Sequence, residues 1–170
     1  MFKNLFKSKS KVVDTKPKIV EIFSPLNGEI INITEVPDPV FAQKMVGDGF
    51  AVIPKNGKLF SPVKGRVVQI FPTRHAIGIE TAEGLEILIH VGLETVELNG
   101  EGFQVIVKAG DFVEVGDHLL NFDINFIEEN NKEIVTPVVV TNYEDKIQKF
   151  SKVCDSEVIC KDLVLRCELI

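Results

Sequence analysis

Long hydrophobic runs are missing from this 170-residue sequence. Its apolar stretches stop well short of the roughly 20 residues a membrane-spanning helix needs, so no transmembrane helix is expected. The basic start is followed by neither an extended apolar core nor a small-residue cleavage site, so no secretory signal is expected either. Cysteine is scarce: Cys154, Cys160 and Cys167 stand six and seven apart near the end, with no CxxC pair. An odd count of this kind speaks against a disulfide framework and for reduced thiols in a cytoplasmic protein, packed into C-terminal strands. A GxxxxGK[ST] phosphate loop is absent, because Gly57-Lys58 lacks both the upstream glycine and the following hydroxyl. Histidine is limited to His75, His90 and His118, with no HxH or HExxH spacing, which removes the familiar sequence signs of a zinc enzyme.

What is present suits one domain of ordinary size. Hydrophobic residues make up 45% of the chain, enough for a sizeable core, and glycine and proline are spread along it as many short strands require. Charge is uneven. Residues 1–11, "MFKNLFKSKSK", carry four lysines and no acid; with −6 overall, the rest of the chain carries −10. An acidic body disfavours nucleic acid and favours basic protein partners. Phe2, Leu5 and Phe6 share one helical face, so residues 1–19 read as a flexible, basic amphipathic segment. Contact with an anionic membrane surface and a free, soluble N-terminus are both compatible with it. Residues 20–170 form the domain proper.

That domain reads as all-β. "FSPLNGEIINI" from Phe23 and "FSPVKGRVVQI" from Phe60 share one pattern at an offset of 37 residues. Each is a proline turn, a glycine and a β-branched strand, which suggests two equivalent strand entries and internal pseudo-symmetry. Further strands are expected at 50–54, 66–71, 75–80, 85–91, 104–107, 118–123, 135–141 and 163–169. Short helices are expected in "DPVFAQK" (38–44), with Asp38 as N-cap and Pro39 at the first helical position, and in "INFIEENN" (124–131).

His75 and His90 bracket "HAIGIETAEGLEILIH", two apolar strands around a turn at Gly84. With 81–84 as the loop, 77 faces 88 and 75 faces 90, so the two imidazoles stand side by side with Ile77 and Leu88 on their face. An odd-length loop or a bulge would separate them. A neutral imidazole offers a nucleophilic nitrogen, and a second can donate a hydrogen bond to an anion held on the first. Spacing alone leaves three readings open: a structural pair, a zinc site short of its third ligand, and a transient phosphoryl carrier.

These residues resemble a known family. The stretch "PTRHAIGIETAEGLEILIHVGLETVELNGEGF" (72–103) is similar to the glucose-type enzyme IIA proteins of the bacterial phosphoenolpyruvate-dependent sugar phosphotransferase system. So are "SPLNGEII", "VPDPVFAQKMVGDGFAV" (36–52), "SPVKGRV", "VEVGDHLLNFD" (113–123) and "TPVVVTN" (136–142). The similarity runs over roughly residues 20 to 170, and the length matches the stand-alone form. It implies an antiparallel β-sandwich with a few short helices. It implies that His90 accepts the phosphoryl group, that His75 hydrogen-bonds it, that Thr73 orients the pair, and that the Gly92 carbonyl fixes the His90 tautomer. The implied donor is the histidine-containing phosphocarrier protein, and the implied recipient is a cysteine of the enzyme IIB domain of a sugar permease. Val40, Phe41, Met45, Val46, Phe71 and Leu88 match the family's apolar docking patch, and Asp38 and Glu94 its acidic rim. Glu94 replaces the commoner aspartate, and Leu88 stands where several relatives carry phenylalanine. No cofactor is required, although zinc bridging His75 and His90 is chemically conceivable.

"SPVKGRV" with "VEVGDHLL" is also similar to biotinyl and lipoyl carrier domains, but the hairpin between the histidines has no lysine to modify. A regulator that binds partners according to sugar state, without obligatory transfer, is the alternative function. His118 lies outside these motifs and reads as structural.

Overall fold

The computed structural model describes residues 16–170. The amphipathic stretch expected in residues 1–11 lies outside them. In chain order the strands are β1 (Ile19–Phe23), β2 (Gly28–Asn32), β3 (Asp48–Pro54), β4 (Lys58–Phe60), β5 (Gly65–Ile70), β6 (Ala76–Glu80) and β7 (Glu86–His90). There follow β8 (Phe103–Val105), β9 (Phe112–Val113), β10 (His118–Phe122), β11 (Thr136–Val140), β12 (Ile147–Lys152), β13 (Glu157–Val158) and β14 (Leu163–Leu169). Short helices α1 (Pro39–Ala42), α2 (Ile124–Glu129) and α3 (Tyr143–Lys146) complete the set. The all-β expectation holds.

An eight-stranded sheet runs β13-β2-β3-β11-β7-β6-β5-β9; two three-stranded sheets run β1-β14-β12 and β4-β10-β8. All pairings are antiparallel, as in β1–β14, β4–β10 and β6–β7. Alternation along the large sheet divides its side chains between two apolar clusters. Phe50, Val52, Ile77, Ile79, Ile87, Ile89, Val138 and Val140 pack in one core with residues of the small sheets, among them Ile22, Leu59, Leu119 and Val164. Ala51, Val139 and Leu88 point the other way, into a smaller cluster with Ile33, Val36 and Phe41. The stretch around α1 therefore roofs the outer face of the sheet. Because β11 is covered on both sides, its five residues are all buried, and it reads as continuous apolar sequence rather than alternation.

The repeated motif folds as a matched pair. Phe23 N–H donates to the Pro62 carbonyl and Phe60 N–H to the Pro25 carbonyl, both at 2.9 Å. Ser24 Oγ donates to the Leu26 carbonyl and Ser61 Oγ to the Val63 carbonyl, both at 2.7 Å, and both serines are fully buried. The order of the large sheet is palindromic, with β2 and β5 corresponding and β13 and β9 corresponding at the two edges. The motif glycines are forced by close approach: a Cβ on Gly28 would lie 2.1 Å from the Ile53 carbonyl oxygen, and one on Gly65 2.4 Å from that of Glu80.

One expectation fails. The β6–β7 connection has five residues, 81–85, so Ile77 faces Ile89, Gly78 faces Leu88 and Ala76 faces His90. Ile77 lies on the core side, opposite to Leu88, and His75 is not cross-strand from His90. The odd-length loop, closed by Thr81 N–H to the Leu85 carbonyl at 2.9 Å, is the reason.

Candidate functional site

His90 is the last residue of β7. Sharing the face of Leu88, it points outward beneath α1. Its ring meets the edge of Phe41 at a centroid distance of 5.1 Å. Asp38 starts α1 as expected: its Oδ1 accepts from Val40 N–H at 2.9 Å, and Pro39 occupies the first turn. The cap thus fixes the helix whose phenylalanine packs on the histidine, and it brings a carboxylate close enough to act on the His90 charge.

His75 reaches the site by another route than strand pairing. It lies one residue before β6, in a tight loop where Arg74 N–H donates to the Phe71 carbonyl at 2.7 Å and Arg74 adopts φ 59°. Val91 N–H donates to the His75 carbonyl at 2.7 Å, which ties the loop to the end of β7. The two imidazoles end 4.7 Å apart, centroid to centroid, at 81°. Phe71 meets the His75 ring at 5.6 Å, also edge-on. Adjacency is therefore observed, set by the loop's left-handed residue rather than by register.

Hydrogen bonds assign the nitrogens. His90 Nδ1 stands 2.7 Å from the Gly92 carbonyl oxygen. A carbonyl only accepts, so Nδ1 carries the proton and Nε2 presents its lone pair. Gly92 sits at φ 72°, and a Cβ there would meet Thr95 Cγ2 at 2.6 Å and the Glu133 carbonyl at 2.7 Å, so only glycine delivers that carbonyl. His75 Nδ1 lies 2.7 Å from Thr73 Oγ1. With the hydroxyl donating, the His75 proton resides on Nε2, where it is available to an anion on the neighbouring ring.

Burial keeps both rings neutral. His75 is 2% exposed, and desolvation, reinforced by the charge His90 would carry, lowers its pKa to about 4 against an opposing contact with the Thr73 backbone. His90 is half-buried; desolvation lowers its pKa too, opposed by the Gly92 bond and the Asp38 carboxylate. Neutral imidazoles near pH 7 give one nucleophile and one hydrogen-bond donor.

Around them, Val40 and Met45 are exposed, at 41% and 70%, while Val46, Phe71 and Leu88 are half-buried. Phe41 is 5% exposed and packs edge-on against the His90 ring rather than forming open surface. Glu94 follows Gly92 by two residues and stands exposed. Sequence reasoning missed the Glu97–Lys132 ion pair, whose members lie 35 residues apart with no motif to link them. His118 is apart from this group, with Nε2 2.8 Å from Asn121 Oδ1 and its ring against Phe60 at 5.1 Å. Among the described residues no set of three or more His, Cys, Asp or Glu is placed to hold a metal, and no helix is long and apolar enough to cross a membrane.

Comparison with known proteins gives the family. The family model for the phosphoenolpyruvate-dependent sugar phosphotransferase system, EIIA 1, matches residues 20–146. A glucose-specific EIIA component of the phosphotransferase system from Halalkalibacterium halodurans is 51% identical over 159 residues, 92% of this chain and 91% of the relative. One of the same description from Staphylococcus aureus is 51% identical over 142 residues, 84% and 83% of the two chains. The solved structure of glucose permease IIA from Mycoplasma capricolum superposes with a TM-score of 0.83 at 39% identity, over 88% of this chain and 96% of that one.

Proposed function

This chain belongs to the EIIA 1 family of the phosphoenolpyruvate-dependent sugar phosphotransferase system, and we propose that within it His90 is the residue that carries the phosphoryl group. The observation that supports this most directly is the bond from His90 Nδ1 to the Gly92 carbonyl, which leaves Nε2 as the nucleophile. The donor is the phosphorylated histidine-containing phosphocarrier protein. The Nε2 lone pair attacks phosphorus in line; the donor's P–N bond breaks and its electron pair returns to the donor imidazole. His75 Nε2–H then steadies a phosphoryl oxygen, with Thr73 holding that tautomer. The recipient is a cysteine thiolate on the enzyme IIB domain of a sugar permease, glucose being the substrate named for the relatives.

Docking uses the apolar surface of Val40, Met45, Val46, Phe71 and Leu88, with Asp38 and Glu94 meeting basic groups of the partner. The relay draws on imidazole and thiolate nucleophiles and calls for no cofactor. It operates in the cytoplasm, with the basic N-terminal segment available to an anionic membrane surface. Incubation with phosphoenolpyruvate, enzyme I and the phosphocarrier is expected to add one acid-labile phosphate, and His90→Ala to abolish it. Labelling that survives the substitution would overturn the assignment.

A further inference from the structure

The acidic rim beside His90 contains a cation of its own. Lys132 Nζ pairs with Glu97 Oε2 and lies 3.9 Å from Glu94 Oε2. The lysine side chain is 14% exposed, whereas those of Glu94 and Glu97 are 72% and 62% exposed. The ammonium is thus tucked under two outward-facing carboxylates. Backbone bonds hold it there: Lys132 N–H donates to the Ile127 carbonyl at 3.1 Å, and Leu93 N–H to the Glu133 carbonyl at 2.9 Å. The second bond joins the lysine's segment to the loop that carries Gly92 and Glu94. The hydrogen bond that Lys132 donates to Glu97 raises the lysine pKa, so the charge persists at any working pH. Asp38, the other rim carboxylate, has no ion-pair partner within 4.0 Å among the described residues. The rim therefore has one uncompensated acid and one pair of acids sharing a built-in counter-ion.

We propose that Lys132 tunes the charge of this rim: it offsets Glu94 and Glu97, and so slows the encounter with basic partner surfaces at the phosphoryl site. The proposal rests on the relay reading above. Rim charges act mainly on encounter rate and its salt dependence. Removing one elementary charge from a water-exposed rim, within about a screening length of the partner's cations, changes that rate roughly two- to threefold at low salt.

The test measures association of purified histidine-containing phosphocarrier with the full chain by stopped flow at low and high ionic strength. Lys132→Gln is expected to raise the low-salt association rate two- to threefold and to steepen its fall with salt. Glu97→Gln, which leaves the ammonium to Glu94 alone, is expected to lower the rate and flatten the salt dependence. A merely structural role for the ion pair would move both variants in the same direction, because each breaks it. Variants that shift together, or a Lys132→Gln rate at or below wild type, overturn the inference. Both surface changes are checked for retained folding by thermal melting. If wild-type protein takes no phosphate from the phosphocarrier, the relay itself fails and this inference with it; normal wild-type labelling with same-sign variants overturns this inference alone.

Discussion

At the scale of single residues, the chemistry reduces to which ring nitrogen holds a proton. The Gly92 carbonyl, which can only accept, decides it for His90; at His75 the Thr73 hydroxyl, when it donates, leaves the proton on Nε2, and each contact is 2.7 Å. Thr73→Val removes the hydroxyl and frees His75 to adopt either tautomer. The expected result is near-normal phosphoryl acceptance on His90 but onward transfer slowed about tenfold, the effect of losing roughly 1.4 kcal/mol in the transition state. Thr73→Ser is expected to restore the rate, and single-turnover transfer to the enzyme IIB domain checks both. The histidine pair, its tautomer partners and two of the rim acids, Asp38 and Glu94, were nameable from motif matches in the sequence. Lys132 was not, because an ion pair between positions 97 and 132 has no local periodicity to announce it.

At the scale of elements, Asp38 serves two ends at once. It caps α1, and α1 supplies the phenylalanine that packs edge-on against His90. Asp38→Ala is expected to cost about 1 kcal/mol in urea unfolding through the lost cap, whereas Asp38→Asn keeps a capping oxygen and is expected to remain within about 0.5 kcal/mol of wild type. Both are expected to weaken phosphocarrier binding, which separates charge from fold. Helix α1 was legible because a capping side chain and an N1 proline are local signals, and α2 likewise has Asp123 accepting from Phe126 N–H. Most buried strands were legible from β-branched runs. Strand β12, "IQKFSK", was not: it is an edge with no fully buried residue and two lysines, so no apolar alternation marks it. Register was not legible either, since one extra residue in the Thr81–Leu85 loop decides which side chains face each other.

At the scale of the whole molecule, pH and symmetry set the terms of stability. His75 is held at about 4 against an ordinary 6.5, so the folded state binds fewer protons than the unfolded one between those values. Stability is therefore expected to fall as pH drops from 6.5 toward 4, by about 3 kcal/mol from His75 alone, with His90 adding in the same direction. Burial pushes the Cys167 thiol up to about 12 from 9, so stability is also expected to decline as pH rises across that interval. Urea midpoints across pH, with a plateau between roughly 6.5 and 9, check both limbs. The matched halves yield a paired prediction. Gly28→Ala and Gly65→Ala are expected to destabilise alike, by more than about 2 kcal/mol, as each new methyl meets a backbone carbonyl. Gly78→Ala, whose nearest neighbour would lie at 3.5 Å, is expected to be near neutral by the same measurement.

The duplicated frame carries its chemistry in one copy only. Strands β3 and β11, which correspond to β6 and β7 across the palindrome, contain no histidine. On the relay proposed above, a single seat for the phosphoryl group makes donor and recipient compete for it, so each is expected to inhibit the other competitively in a ping-pong course. A surplus of unphosphorylated donor carrier is then expected to throttle delivery without any second regulatory site.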